Sequence, residues 1–341
     1  MKASKKILVT GGAGYIGSHT VVELIQNGFE PIILDDFRNS HRSAIEGLSK
    51  ITNTEITVRE VDVCDYSALK AVFEEFSFSG IIHFAAYKAV GESVEEPLKY
   101  YRNNIVGLIN CLEFAQEFGV ENFVFSSSCT VYGERKGVSV VTEVEEMQPA
   151  NAPYGNTKQI GEQIIRDFVQ NETGVKILSL RYFNPVGAHP SSLIGELPLG
   201  KPNNLFPIVA QTASGKIKQL MVNGSDYSTK DGTCVRDYVH VSDVADAHVK
   251  GIDWLQKQEG TFAEVVNIGT GKGTSILEII HTFEEISGIK LNWTFGPRRE
   301  GDIQEIYAGV EKSKNLLNWE SKRTVREAIQ DAWNWEQQLK E

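Results

Sequence analysis

The chain has 341 residues, of which 41% are hydrophobic and 23% are charged, and its formal net charge is −11. These values are typical of a folded globular protein with a substantial core, and the length suits two lobes. The acidic balance argues against a nucleic-acid partner, because polyanions are bound by clustered Lys and Arg side chains.

Short apolar runs alternate with longer amphipathic segments from residue 6 to about residue 185. The short runs predict strands at Lys6–Thr10, Pro31–Leu34, Ile56–Val61, Ile81–Phe84, Phe123–Ser127 and Ile177–Arg181. Apolar residues spaced near 3.6 predict helices at Tyr15–Asn27, Ser67–Phe76, Asn104–Phe118, Tyr154–Asn171 and, further along, Val244–Leu255. Repeated βαβ units of this kind predict an α/β fold with a doubly wound parallel sheet of the Rossmann type.

Glycine and proline become frequent after Pro185. Turn-rich sequence of this kind predicts a smaller lobe, assigned to residues 186–341, that covers the ligand edge of the sheet. A strand-like run at Val235–Val241, followed by a helical segment, predicts a return to the large sheet over residues 235–265. We therefore expect a dinucleotide-binding domain at 1–185 that is interleaved with a smaller α/β substrate-binding lobe.

Cysteine usage and the start of the chain bear on its location. The four cysteines are widely scattered, and their spacing suggests neither a zinc site nor a disulfide framework. The first apolar run, Ile7–Val9, is too short for a signal-peptide core or a membrane span. We expect a cytoplasmic protein with no metal site and no membrane partner.

A glycine-rich turn follows the first predicted strand. The segment Gly11–Gly17 has GxxGxxG spacing directly before an amphipathic helix, where backbone N–H groups can approach a pyrophosphate. The next strand ends at Asp35 and Asp36, where a Rossmann fold places the carboxylate that binds the adenosine ribose. Because a carboxylate repels a 2′-phosphate, the sequence favours NAD, although Arg38 nearby leaves NADP open.

Tyr154 and Lys158 are four residues apart at the start of a predicted helix, so their side chains project from one face. A tyrosine with its usual pKa of about 10 is a poor base at neutral pH, but a neighbouring cation lowers that pKa. Lys158 and an oxidised nicotinamide are such cations, so we predict Tyr154 as the general base. Ser128 ends a strand at the same edge, where it binds a substrate oxygen or caps the strand.

Eight motifs occur in order along nearly the whole chain. They are GGAGYIGSHT at Gly11–Thr20, HFAAYKAVGES at His83–Ser93, SSSCTVYG at Ser126–Gly133, PYGNTK at Pro153–Lys158, RYFNPVGAHP at Arg181–Pro190, PNNL at Pro202–Leu205, GTCVRDYVHV at Gly232–Val241 and PRREGD at Pro297–Asp302. Together they resemble the extended short-chain dehydrogenase/reductase family. The resemblance implies inversion of C4 of a UDP-hexose, between UDP-galactose and UDP-glucose, through a transient 4-keto sugar and NADH. It also implies a homodimer.

The resemblance further implies roles for individual residues. Catalysis is expected from Ser128, Tyr154 and Lys158. The NAD site is expected to contain Gly11, Gly14, Tyr15, Ile16, Asp35, Asp36, Asn39, Asp62, Val63, Phe84, Ala85, Lys88, Asn103, Tyr154, Lys158 and Tyr182. The UDP-sugar site is expected to contain Lys88, Ser128, Tyr154, Tyr182, Asn184, Asn204, Leu205, Asn223, Arg236, Arg299, Asp302 and Ile306.

Two parts of the expected substrate site leave alternatives open. Arg236 and Arg299 suit a diphosphate, because a guanidinium gives charge-assisted, bidentate hydrogen bonds. Each could instead form a structural ion pair, Arg236 with Asp237 or Asp243 for example. Ile306 stands where some family members place a tyrosine that limits the hexose pocket, so tolerance of UDP-GlcNAc and UDP-GalNAc is left open.

Three other functions compete with this interpretation. A dehydratase of the same superfamily needs extra acid and base groups, and such enzymes resemble one another in placing Asp-Glu where this chain has Cys129-Thr130. A non-catalytic NAD-sensing protein needs no poised base, so the presence together of Ser128, Tyr154 and Lys158 argues against it. A 4-epimerase of another UDP-sugar, such as a pentose or a uronic acid, stays open.

Overall fold

Seven parallel strands form the central sheet of the computed structural model, which describes residues 5–134, 137, 139–299 and 302–339. The strands along the chain are β1 (Lys6–Thr10), β2 (Glu30–Leu34), β3 (Thr57–Arg59), β4 (Gly80–His83), β5 (Asn122–Ser128), β6 (Val140–Val141), β7 (Lys176–Tyr182), β8 (Asn184–Val186), β9 (Leu220–Asn223), β10 (Val235–Arg236), β11 (Tyr238–His240), β12 (Phe262–Ile268), β13 (Thr274–Ser275), β14 (Trp293–Gly296) and β15 (Glu305–Ala308). The large sheet has the order β12-β7-β5-β4-β1-β2-β3, with every neighbouring pair parallel. The predicted Rossmann-type sheet is confirmed.

Eleven helices are described. They are α1 (Tyr15–Gln26), α2 (Ser43–Thr52), α3 (Tyr66–Glu75), α4 (Val90–Glu95), α5 (Pro97–Glu117), α6 (Pro153–Val169), α7 (Leu205–Ala213), α8 (Val241–Leu255), α9 (Ile276–Ser287), α10 (Glu311–Leu317) and α11 (Val325–Gln338). The prediction omitted α2 and α4 in the first half of the chain and α7, α9, α10 and α11 in the second, and it started α5 seven residues late, at Asn104. Pro97 is favourable in the first turn of α5, but the polar residues after it hide the helical period.

Two apolar layers enclose the large sheet. One layer packs α1, α2 and α8 against one face of the strands, and its core includes Val22, Leu48 and Ile252. The other packs α3, α5 and α6 against the opposite face, around Phe73, Leu112 and Ile165. Because both faces of the sheet are buried, the sequences of these strands are nearly continuous apolar runs.

The chain returns to the large sheet through α8 and β12. Helix α8 packs against α1 and β5, and β12 pairs with β7 along its whole length. The single strand predicted at Val235–Val241 is wrong, because β10 pairs with β13 and β15 whereas β11 pairs with β8. The buried carboxylate of Asp237 separates them, since it accepts backbone N–H bonds from Thr270, Gly271 and Ala308.

The remaining elements surround a third apolar cluster. Helices α7, α9 and α11 pack there with β9 and β11, around Phe206, Ile280 and Trp333. The four-stranded sheet β13-β10-β15-β6 lies beside it. The limits of the two lobes stay a prediction, and the boundary proposed at residue 185 falls inside β8. Among the described residues, no helix has the length and apolar character to cross a bilayer.

Candidate active site

The glycine-rich turn lies at the point where the strand order reverses, between β1 and β4. Gly11 has φ of +70°, and a Cβ added there would lie 2.8 Å from the backbone nitrogen of Ala85. A Cβ at Gly17 would lie 2.3 Å from the carbonyl oxygen of Gly11. The N-cap of α1, Gly14, offers no side-chain cap to the first helical N–H groups. Because the turn has no side chain in the way and leaves the N–H groups of the helix start uncapped, it can bind the pyrophosphate of a dinucleotide.

The Asp35 carboxylate connects the glycine turn to the end of β2. It accepts hydrogen bonds from the N–H of Ala13 at 3.0 Å, the N–H of Phe37 at 3.0 Å and the hydroxyl of Ser40 at 2.7 Å. Burial raises the pKa of Asp35, and these hydrogen bonds oppose that shift. A carboxylate has capacity for about four hydrogen bonds, so it retains room for a ribose hydroxyl.

Arg38 lies between two carboxylates at the same edge. Its guanidinium contacts Asp36 at 2.5 Å and Asp62 at 2.7 Å, and both raise its pKa. The two carboxylates together outweigh the single positive charge, which disfavours a 2′-phosphate and supports NAD. Asn39 is exposed on the bend after Arg38.

Other predicted cofactor residues surround the turn. Phe84 and Ala85 follow β4, with the ring of Phe84 4.6 Å from that of His248. Ile16 packs on the first core, and the phenol of Tyr15 donates to the carbonyl of Gly187 at 2.7 Å. Val63 is buried against the second core, and the Asn103 amide donates to Asn104 at 3.1 Å.

Lys88 reaches from the loop after β4 toward the second lobe. Its ammonium lies 3.2 Å from a Glu196 carboxylate oxygen and 5.8 Å from the centre of the Tyr15 ring. The same Glu196 oxygen accepts a hydrogen bond from Asn204 at 2.5 Å. Glu196 therefore joins one predicted cofactor residue to one predicted substrate residue, and the sequence analysis missed it.

Tyr154 and Ser128 meet at the carboxyl end of the sheet. The Ser128 hydroxyl lies beside the phenol and lowers the pKa of Tyr154. Burial has the larger effect and raises that pKa to about 12. The expected lowering of the Tyr154 pKa is therefore not found in the protein alone. Ser128 also caps the 3₁₀ turn at Cys129–Tyr132 by accepting the N–H of Thr130 at 3.2 Å.

Lys158 lies one helical turn beyond Tyr154 on α6. Its ammonium donates to the carbonyl of Ser126 at 2.6 Å and lies 4.8 Å from the centre of the Phe125 ring. Burial lowers its pKa to about 7, against the opposing effect of Glu162. The phenol of Tyr182 hydrogen-bonds with the Ser126 hydroxyl, so both groups lie at this strand end.

Arg236 pairs with Asp302, so both predicted alternatives for its ion-pair partner are wrong. The guanidinium contacts the Asp302 carboxylate at 3.1 Å. Asp237 instead accepts backbone N–H groups, as described for β10 and β11, and Asp243 pairs with Arg323. Arg236 faces the catalytic strand end, because its charge lowers the pKa of the Cys129 thiol, although burial raises that pKa to about 12 overall.

The remaining substrate candidates lie on separate elements. Asn184 begins β8, Asn204 and Leu205 begin α7, and Asn223 ends β9. Arg299 is exposed. Ile306 is 4% exposed and packs in an apolar cluster with Tyr132 and Phe183, where it presents little surface to a ligand.

Comparison with known proteins agrees with this geometry. The model of the NAD dependent epimerase/dehydratase family matches residues 7–269. The chain therefore belongs to the NAD dependent epimerase/dehydratase family, which confirms the resemblance and the predicted cofactor, NAD.

Within that family, the chain is similar to UDP-glucose 4-epimerases. It is 48% identical to UDP-glucose 4-epimerase 2 of Arabidopsis thaliana over 335 residues, which cover 97% of this chain and 95% of the relative. The crystal structure of a Stenotrophomonas maltophila UDP-glucose-4-epimerase with bound NAD and formylated UDP-arabinopyranose has a TM-score of 0.95, at 42% identity and 98% coverage of both chains. The Bifidobacterium longum UDP-glucose 4-epimerase in complex with NAD⁺ and UDP has a TM-score of 0.93, at 41% identity and 98% coverage of both.

Proposed function

We propose that this chain inverts C4 of a UDP-hexose, between UDP-galactose and UDP-glucose, with NAD as its bound cofactor. The observation that carries the proposal is the placement of Tyr154 beside Ser128, with Lys158 one turn further along α6. This arrangement presents an acid/base phenol and a hydroxyl at the ligand edge of a dinucleotide-binding sheet. The similar UDP-glucose 4-epimerases, one bound to UDP, support UDP-sugars as the substrate class.

The roles of the residues follow from their contacts. Bound NAD supplies the hydride acceptor and donor for C4, and its oxidised form adds a positive charge. Tyr154 takes the proton from the sugar O4 and later returns it, while Ser128 holds the oxygen atom. Because burial raises the Tyr154 pKa, ionisation of the phenol depends on Ser128, Lys158 and that added charge.

The other proposed site residues bind and orient. The turn with Gly11 and Gly14 holds the pyrophosphate, and Asp35 holds the adenosine ribose. Arg236 and Arg299 bind the uridine diphosphate, whose remote binding energy leaves the sugar free to turn its opposite face. Asp302 orients Arg236, since the two already form an ion pair.

The first experiment is an assay of the purified protein with UDP-galactose and UDP-GalNAc in parallel, without added NAD. Anomeric proton NMR should show UDP-glucose in the first reaction, and the second tests whether the sugar site admits a 2-acetamido group. Tyr154→Phe should lower kcat by roughly 10²–10⁴-fold, the usual contribution of a positioned acid/base group. Tyr66→Phe, at a ring 46% exposed, is the control. No UDP-glucose from the wild type, or full turnover by Tyr154→Phe, would overturn the proposal.

We further propose a homodimer formed through α4 and α5. Val90, Val94 and Leu98 expose 52%, 62% and 75% of their surface, and Val106 and Ile109 extend the patch along α5. An exposed apolar patch of this kind is typical of a protein interface. Light scattering should give twice the chain mass for the wild type and a monomer for Leu98→Glu, and a monomeric wild type would contradict the proposal.

We also propose the cytoplasm as the compartment. The cysteines at 64, 111, 129 and 234 are all free thiols, which suits a reducing environment.

A further inference from the structure

A buried ion pair lies directly behind the catalytic strand end. The Glu162 carboxylate accepts two hydrogen bonds from the Arg181 guanidinium, at 2.8 and 2.6 Å. The two side chains are 1% and 4% exposed. Removing two charges from water is expensive, and a packed apolar pair in such a place is often at least as stable. Stability alone therefore does not account for charged residues here.

The position of Glu162 connects it to the catalytic residues. Tyr154, Lys158 and Glu162 are spaced four residues apart and so share one face of α6. The Glu162 carboxylate also accepts the hydroxyl of Ser127 at 2.6 Å. Ser127 is the middle of three serines. The carbonyl of the preceding serine accepts a hydrogen bond from Lys158, and the following serine lies beside Tyr154.

We propose that Glu162 is a positioning residue for the epimerase reaction, which fixes the strand end through Ser127 and, with Arg181, balances the charge beside Lys158. This inference rests on the proposed function. Glu162 contacts neither predicted ligand site directly, and it acts through the two neighbours that it binds.

The charges around Lys158 explain why this balance matters. From α6 it faces Glu162, from β4 it faces His83, and on β7 Tyr182 binds the hydroxyl of Ser126, whose carbonyl binds Lys158. Arg181 lies behind Glu162, and one of its terminal nitrogens is buried with no hydrogen-bond partner among the described residues. Arg166 lies 3.8 Å from the same carboxylate. Neutralising Glu162 would remove the carboxylate that raises the Lys158 pKa and would leave two guanidinium groups without it.

The test compares the pH dependence of kcat in the holoenzyme and its variants. Glu162→Gln keeps the size of the side chain but leaves Arg181 uncompensated, so Lys158 should lose its proton earlier. The alkaline limb of kcat should then move to lower pH by about one unit or more. The double variant Glu162→Gln/Arg181→Met removes both charges and should return the limb toward the wild-type position. Glu113→Gln, which changes an exposed carboxylate on α5, is the control.

Two further measurements separate the two parts of the inference. Ser127→Ala keeps both charges, so kcat should fall while the alkaline limb stays in place, and an unchanged kcat would refute the strand-positioning role. The ¹³C resonance of the Lys158 ε carbon, assigned by its absence from Lys158→Met, should titrate at lower pH in Glu162→Gln.

The outcomes distinguish this inference from the proposed function. If kcat of Glu162→Gln falls equally at every pH and the double variant recovers nothing, Glu162 is merely structural and the inference is wrong. If the wild type forms no UDP-glucose, the proposed function fails, and the NMR titration still decides whether Glu162 controls the charge of Lys158.

Discussion

Lys158→Met tests whether the catalytic lysine destabilises the fold that holds it. Burial lowers the pKa of Lys158 from 10.5 to about 7. Since one pKa unit corresponds to about 1.4 kcal/mol, the folded protein disfavours the ammonium by roughly 5 kcal/mol. Methionine fills a similar apolar volume without a charge, so we expect the variant to be inactive and yet more stable than the wild type at neutral pH.

The sign of the pH dependence follows from proton counting. Between pH 7 and 10.5, the unfolded lysine holds its proton while the folded one has lost it, so wild-type stability rises with pH. Below that window the full destabilisation is present, and above it none remains. The stability advantage of Lys158→Met should therefore shrink by about 2 to 3 kcal/mol between pH 7.5 and 9.5.

Urea unfolding at these two pH values, with the same excess of NAD in every sample, measures that change. Lys257→Met changes an exposed surface lysine, so its stability should match that of the wild type at both pH values. If the difference in free energy of unfolding between Lys158→Met and wild type is the same at both pH values, the reasoning is refuted. A variant that is less stable throughout would show that the Ser126 carbonyl and the Phe125 ring fully compensate the buried ammonium.

Two more substitutions test the turn and the hydroxyl. Gly17→Ala places a Cβ 2.3 Å from the Gly11 carbonyl oxygen, so the turn must shift. NAD affinity, measured by fluorescence titration, should fall roughly 10-fold or more, equivalent to about 1.4 kcal/mol. Gly91→Ala is the control, because a Cβ added at Gly91 has no atom within 4 Å. Equal NAD affinities of Gly17→Ala and the wild type would contradict the assignment of the turn to the pyrophosphate. Ser128→Ala removes the hydroxyl that lowers the Tyr154 pKa, so the acid limb of kcat/KM should move to higher pH. A stationary limb in the pH profile would show that the hydroxyl does not act on the phenol.

The large sheet could be predicted from sequence because its strands are buried on both faces. The six strands predicted before residue 185 are all present, with ends within two residues of the predicted positions, whereas the seventh strand of the sheet, β12, was not predicted. Short or polar elements carry a weaker signal, which is why α2 and α4 were missed. The break between β10 and β11 depends on Asp237, whose partners lie more than 30 residues away in the chain.

The site could be predicted only where its residues are close in sequence or follow a strand. The spacing of Tyr154 and Lys158 and the strand end at Ser128 placed the catalytic groups on neighbouring elements. The carboxylate of Glu196 could not be found in this way, because its contact with Lys88 joins residues 108 positions apart. Burial also reversed the expected direction of the Tyr154 pKa, since no sequence pattern measures the loss of water around a phenol.

The pairing of β12 with β7 has a consequence for synthesis of the chain. Six strands of the large sheet are complete by Tyr182, but the edge strand ends only at Ile268. At translation rates of about 5–20 residues per second, roughly 4 to 17 seconds pass between the synthesis of β7 and that of β12. Throughout that interval the β7 edge has no neighbouring strand, so slowed elongation should increase aggregation of this protein.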